Sequence, residues 1–306
     1  MYKQQFRLSP AVEEALNRGA PVLALESTII AHGMPFPQNF EFARQAEEEA
    51  RQLGVTPATI ALTNGEIHIG LQSEDLRRIS GNETVHKVAF RDLGTALASG
   101  VLGATTVSAT CWLAHQAGIS VLATGGIGGV HQHAKQSMDI SQDLPLLSRV
   151  PIIVVSAGAK AILDLPKTME YLETRGVPVV GYGTEELPAF YSRQSGIPVP
   201  HRVTSIDEII TIYQSQRALN MPCALLVANP VPESDEIPLE EMQSYLNTSR
   251  EDLTRANLHG KEVTPYLLKR LSELTAGRTL QTNIALALNN VCLGARIAKA
   301  HAKIKP

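Results

Sequence analysis

Cysteine is scarce in this 306-residue chain: three in all, Cys111, Cys223 and Cys292, far apart and each inside an apolar stretch. That scarcity excludes a disulfide framework, and no pair has the close spacing of a zinc site. The three read as reduced, buried residues of a cytoplasmic protein. An excess of either charge is also missing. Lys and Arg number 27 against 30 Asp and Glu, a net charge of -3, so neither a nucleic-acid groove nor an anionic membrane surface is indicated. No apolar run reaches the roughly 18 residues that span a bilayer. The amino-terminal MYKQQFRLSP lacks the apolar core of a signal peptide. Internal repeats and low-complexity linkers are absent as well. What remains is an ordinary globular composition, 44% hydrophobic and 19% charged, in a chain long enough to bury a large core.

The pattern along the chain alternates short apolar runs with helical periods. Pro21 to Ile30 predicts a strand that carries Glu26 inside it, and Pro37 to Leu53 predicts a helix. Two short runs around Asn64-Gly65 predict a hairpin over 59–71. Thr105 to Gly118 starts with hydroxyl side chains and continues as a helix. Ile119 to Thr124 predicts a strand that flows into Gly125-Gly126-Ile127-Gly128-Gly129. The run Ile152-Ile153-Val154-Val155 has the β-branched, unbroken character of a strand covered on both faces. It opens into Ser156-Ala157-Gly158-Ala159 and then a helix, with Lys160 at the helix start. Further strands are predicted over 177–182 and 222–229, a helix capped by Ser205 lies between them, and three largely helical segments follow Pro238. Strands alternating with helices indicate an α/β/α sandwich around a mixed, mostly parallel sheet, with additional C-terminal helices.

Several residues are candidates for chemistry. A carboxylate within an apolar strand favours its protonated form, so Glu26 is either a general acid or a partner for a buried donor. Lys160 follows a strand's carboxyl end, where open α/β sheets place ligands. There it is an amine nucleophile or a lysine that snorkels to water. TGGIGGVH, residues 124–131, offers backbone N–H groups for a phosphate or oxyanion. It has neither the GxGxxG spacing nor the Lys-Ser/Thr ending of a P-loop, which disfavours dinucleotides and nucleoside triphosphates. Asp139 and Asp143 flank Ser141 in MDISQD, oxygen donors suited to a hard divalent cation or two acids at a helix start. His131 and His133 are possible nitrogen ligands or surface residues. Lys87 opens a short strand as a phosphate partner or an edge-blunting charge. Thr105, Thr106 and Ser108 cap a helix or bind an anion. Asn283, inside an apolar final helix, needs a hydrogen-bond partner if buried.

The motifs ALESTIIAHGMPFPQN, TNGEIHIGL, KVAFRDL, GATTVSAT, LATGGIGGVH, MDISQDL, VVSAGAKAILDLPKTMEYLET, VANPVP, TPYLL and TNIALALNN occur in one order. Together they resemble the pseudouridine-5'-phosphate glycosidase family, which includes the indigoidine synthase A-like proteins, from about residue 8 to 300. The resemblance implies a single domain over residues 1–306. It implies reversible cleavage of the C–C glycosidic bond of pseudouridine 5'-phosphate to uracil and ribose 5-phosphate, a Mn2+-type cation, and a homotrimer acting on a small-molecule substrate. By position it implies Lys160 as covalent nucleophile, Glu26 as proton donor, and Asp139 as metal ligand. Lys87, Val107, Ser141, Gln142, Asp143 and Asn283 fall on substrate-binding positions. The chain departs from the family pattern at Phe90, at Gln132 to Lys135, and at Leu165-Pro166-Lys167. A lysine-imine lyase or aldolase on another sugar phosphate, and a non-catalytic phosphosugar-binding protein, are the rival readings.

Overall fold

A computed structural model describes residues 6–81, 84–132, 134–256, 258 and 263–304. Eleven strands of the described chain form one sheet: β1 (Phe6–Leu8), β2 (Val22–Leu25), β3 (Thr56–Thr63), β4 (Glu66–Ile69), β5 (His86–Val88), β6 (Gly103–Thr105), β7 (Val121–Ala123), β8 (Ile153–Ser156), β9 (Val179–Tyr182), β10 (His201–Val203) and β11 (Leu225–Ala228). The main order is β1-β4-β3-β2-β7-β8-β11-β9-β10, and β6 joins β3 with β5 beyond it. The β3–β4 and β3–β6 pairings are antiparallel, and the others among these strands are parallel. The mixed, mostly parallel α/β architecture read from the sequence is therefore the one observed.

β3 is where the sheet changes direction. Thr56 to Thr59 pair in parallel with β2, while Ile60 to Thr63 turn back through β4. Asn64 and Gly65 both have positive φ, 54° and 78°, as a two-residue primed turn requires. The central strands β2, β8 and β11 are buried at every residue, so both faces of the sheet are covered. The helices Gln38–Gln52 and Ile206–Ala218 each pack on Arg278–Ala302, which lies across β2, β7 and β8. Gly294 makes that crossing possible, since a Cβ there would meet Leu23 Cδ1 at 3.0 Å and Ala123 Cβ at 3.1 Å. Val107–Gln116 packs on β2, β3, β6 and β7.

Two local expectations change. Glu26 is just past β2, not inside it, because Ser27 leaves the ladder and the chain becomes helical over Thr28–His32. Ser27 Oγ donates to Ile60 O at 2.6 Å and accepts from Thr105 N at 2.8 Å, which anchors this departure. Lys160 is likewise not at a helix start. Residues 157–164 run as a loop, and the next helix is Leu165–Thr174. Asp164 caps it by accepting from Lys167 N at 3.1 Å, with Pro166 in the first turn.

Candidate active site

The loops after β2, β7 and β8 meet at the carboxyl ends of the sheet. The turn after β7 is their common support. Thr124 N donates to Val155 O at 3.0 Å, and Ala157 N to Gly125 O at 2.9 Å. Ile127 N then donates to Gly158 O, and Lys160 N to Ile127 O, each at 3.1 Å. The sheet's hydrogen bonding thus continues past the strand ends, and it fixes the backbone of Lys160. Gly158 has φ 78°, and a Cβ on it would run into Pro188 O, so this corner admits only glycine.

A cavity of about 220 Å³ opens beside this turn, and a small inner recess adjoins it. Glu26, Thr28, Lys87, Lys160 and Thr264 line both. The structure therefore brings together the predicted acid and the predicted amine. Val107, Asp139, Ser141, Gln142 and Asp143 line the outer cavity, and Asn283 the inner recess, so every predicted site residue is present. His131 joins them, while His133 lies outside the described residues. A larger surface cleft, about 1030 Å³, lies over the helix Gln38–Gln52 and holds none of these groups. Convergent chemistry, not volume, selects the smaller site.

Glu26 is only 4% exposed. Thr124 Oγ1 donates a short hydrogen bond to its Oε1. Burial lifts the carboxyl above its ordinary value, opposed by the charge of Lys160 and by the Thr124 hydroxyl. Asp143 is buried too, but both of its carboxylate oxygens are engaged. Oδ1 accepts from Ser108 N at 2.8 Å and Oδ2 from Gly128 N at 2.9 Å. Asp143 thereby fastens the start of a helix to the glycine turn. Gln142 performs a similar task, its Oε1 accepting from Arg91 N at 2.8 Å.

The glycine run differs from the expected phosphate cradle. The amides of Ile127 and Gly128 go to Gly158 O and Asp143, and Val130 N donates to Thr168 Oγ1 at 3.0 Å. The missing side chains leave room for protein: a Cβ on Gly126 would press on Phe190 at 2.7 Å, and one on Gly128 would run into Ser141 Oγ. The run is a close-packed joint whose surface faces the cavity.

Two polar atoms of the inner recess are buried without partners among the described residues, Asn283 Oδ1 and His32 Nε2. Burying such atoms is costly unless something bonds to them, so they mark where a polar ligand fits. Burial and the nearby Lys87 hold the His32 imidazole below its usual value. At the outer mouth, the Asp139 carboxylate is 38% exposed, with His131 Nδ1 3.8 Å from its Oδ2. Burial holds His131 below its usual value despite that neighbour. His32, Thr124, Thr264 and Phe190 escaped sequence reasoning. Thr124 carried a signal, a hydroxyl at a strand's end just before glycine. His32 lies between the predicted strand ending at Ile30 and the predicted helix from Pro37, and it closes a helical turn, Thr28–His32, at the recess.

A parallel α/β sheet with an acid and an amine converging at its carboxyl ends is the layout of an enzyme. The model of the family described as "Indigoidine synthase A like protein" matches residues 11–300, and the chain belongs to that family. It is 52% identical over 292 residues to a pseudouridine-5'-phosphate glycosidase of Methylobacterium nodulans, a match covering 95% of this chain and 87% of that protein. Among solved structures, the prealnumycin C-glycosynthase AlnA in complex with ribulose 5-phosphate superposes with a TM-score of 0.91 at 34% identity, covering 98% of both chains. An indigoidine synthase A-like protein from Thermotoga maritima gives 0.89 at 39% identity, covering 97% of this chain and 96% of that one.

Proposed function

We propose that this protein reversibly cleaves the C–C glycosidic bond of pseudouridine 5'-phosphate, giving uracil and ribose 5-phosphate through an imine on Lys160. One observation carries the reading: a buried acid and a lysine amine share one cavity, while the other buried carboxylate there, Asp143, is occupied by backbone amides. The remaining carboxylate of the cavity, Asp139, stands half-open at its outer mouth beside His131, so a buried pair of free carboxylates, as in the usual glycosidase, is not offered. A C–C bond also has no leaving oxygen to protonate. An amine answers both points.

Glu26 gives its proton to the ribose ring oxygen as the C1'–O4' bond opens. Lys160 Nζ adds to C1' and passes a proton back to the Glu26 carboxylate. The pyrimidine carbon then takes a proton. The C1'–C5 pair returns to the ring, and the amine lone pair forms the iminium. Water adds to it, ribose 5-phosphate leaves, and Lys160 is restored. Overall one water is consumed. In this reading Lys87, which lines both parts of the cavity, meets the phosphate, and Asn283 and His32, in the inner recess, meet the pyrimidine. Uracil and ribose 5-phosphate incubated with the protein should yield pseudouridine 5'-phosphate. The AlnA relative favours a second reading, in which the imine is kept and another ring system accepts the sugar. A trapped sugar adduct with no uracil product would select it.

We extend the proposal to a divalent cation, Mn2+ or similar, held by Asp139. Its half-open carboxylate suits a hard cation that retains most of its waters. No cluster of three His, Cys, Asp or Glu occurs among the described residues, so water and substrate would complete the shell. When bound, the ion supplies positive charge for substrate oxygens. Asp139→Asn should raise the Mn2+ concentration for half-maximal activity by at least about 10-fold; unchanged metal dependence rules this assignment out. The family resemblance supports, as part of this proposal, a homotrimer of single-domain chains. The three free thiols suit the cytoplasm. Among the described residues no helix is long and apolar enough to cross a membrane.

A further inference from the structure

Glu26 has two carboxyl oxygens and needs its proton on only one of them, the one that faces substrate. We infer that Thr124 is the positioning residue that decides which, and that it sets how readily Glu26 gives the proton up. The inference rests on the reading of Glu26 as the acid.

The geometry is specific. The Thr124 hydroxyl donates to Oε1. An oxygen that accepts such a bond is the carbonyl oxygen of a neutral carboxyl, so the acidic hydrogen is placed on Oε2. Among the described residues Oε2 has no hydrogen-bond partner, and Glu26 lines both parts of the cavity. The hydroxyl also stabilises the carboxylate left behind, because a donor bonds more strongly to an anion than to a neutral acid.

Thr124 is itself held through both its amide and its carbonyl. Its amide donates to Val155 O at 3.0 Å. Its carbonyl accepts from Asn290 Nδ2 at 2.8 Å, and the same nitrogen lies 3.2 Å from Gly125 O. Asn290 Oδ1 accepts from Asn229 Nδ2 at 2.9 Å, and Asn290 is fully buried. Asn229 N donates to Ser156 O at 2.8 Å, so β7, β8, β11 and the long final helix converge on the backbone that carries this hydroxyl. The turn that Thr124 begins is also the one that holds Lys160. One support thereby orients the acid and the amine together. The charged and titratable groups facing Glu26 are Lys160, Asp143, Lys87 and the buried thiol of Cys111. Substitution at Thr124 changes none of them.

The test is Thr124→Val, which has almost the same shape and lacks the hydroxyl, beside Thr124→Ser, which keeps it. With pseudouridine 5'-phosphate as substrate, Thr124→Val should lower kcat about 10-fold with little change in KM. The high-pH limb assigned to Glu26 should move up by about one pH unit. Thr124→Ser should retain both wild-type values. A packing role predicts the opposite order, with Val tolerated and Ser impaired, and that result overturns the inference. If Thr124→Val does not fold, Thr124→Ala takes its place with the same expected shift. A second measurement needs no activity. The pH dependence of the stability difference between each chain and its Glu26→Gln counterpart reports Glu26 ionisation directly. The midpoint should rise by about one unit without the hydroxyl, and an unmoved midpoint refutes the assignment even if the wild type acts on another substrate. A shifted midpoint in a protein inactive on pseudouridine 5'-phosphate would uphold Thr124 and reject the proposed reaction.

Discussion

Incubated with ribose 5-phosphate and borohydride, the wild-type chain should gain the mass of one dehydrated, reduced sugar phosphate, and Lys160→Ala should gain none. The same substitution should lower turnover of pseudouridine 5'-phosphate by at least about 10⁴-fold, the scale seen when a covalent nucleophile is removed. The loss should not come from unfolding. Lys160 is joined to the fold through its backbone, with its amide on Ile127 O and its carbonyl accepting from Leu163 N at 3.0 Å, and an alanine keeps both bonds. Its side chain is half-buried against the cavity and not part of the core. Intact mass spectrometry with a thermal melt separates the two causes. An adduct that persists in Lys160→Ala would move the imine to another lysine, with Lys87 the first to check.

Glu26→Gln carries the second large effect. Turnover should fall by about 10² to 10⁴-fold, since the amide keeps the shape and the bond from Thr124 but has no acidic proton. Stability should move the other way. Burial raises the Glu26 carboxyl, so the folded state prefers its neutral form. That contribution is complete below the unfolded value of about 4.3 and is lost as pH rises through the higher folded value. Glutamine stays neutral throughout. The variant should therefore melt close to wild type at low pH, gain on it as pH rises from the unfolded value to the folded one, and keep that advantage above it. Parallel melting curves at every pH would show that Glu26 is not held in its acid form by the fold. Activity and stability diverging at one residue is the mark of a group kept in a costly place for its chemistry.

Much of this was legible from residue order. The unbroken run Ile152 to Val155 announced a central strand because only a strand covered on both faces tolerates it, and β8 is buried throughout. Asn64-Gly65 announced a hairpin through its backbone demands. Ser205 announced a helix start, and its hydroxyl does accept from Glu208 N, at 3.2 Å. The three-residue strands β1, β6 and β10 were invisible. Such short segments show no period, and they exist because a neighbouring strand offers them partners. The small residues before Lys160 and the Ile-Leu-Asp run near it suit a helix start in sequence terms. Tertiary hydrogen bonds to Ile127 and Val130 hold the segment open instead. The candidate site was legible as a set of residues but not as a division of labour. Asp143 and the glycine run have the residue types of ligand-binding groups, yet their hydrogen bonds go to the protein: to each other at Gly128, and otherwise to Ser108, Gly158 and Thr168.

The extension of the sheet's hydrogen bonds into the turn after β7 has a consequence for binding entropy. Loops that must become ordered around a substrate subtract that ordering from the affinity and from the rate. Here the amides of Ala157, Ile127 and Lys160 are already bonded before any substrate arrives. Their disorder is given up once, when the chain folds. The binding free energy of the sugar phosphate is then free to act on the sugar itself, opening its ring.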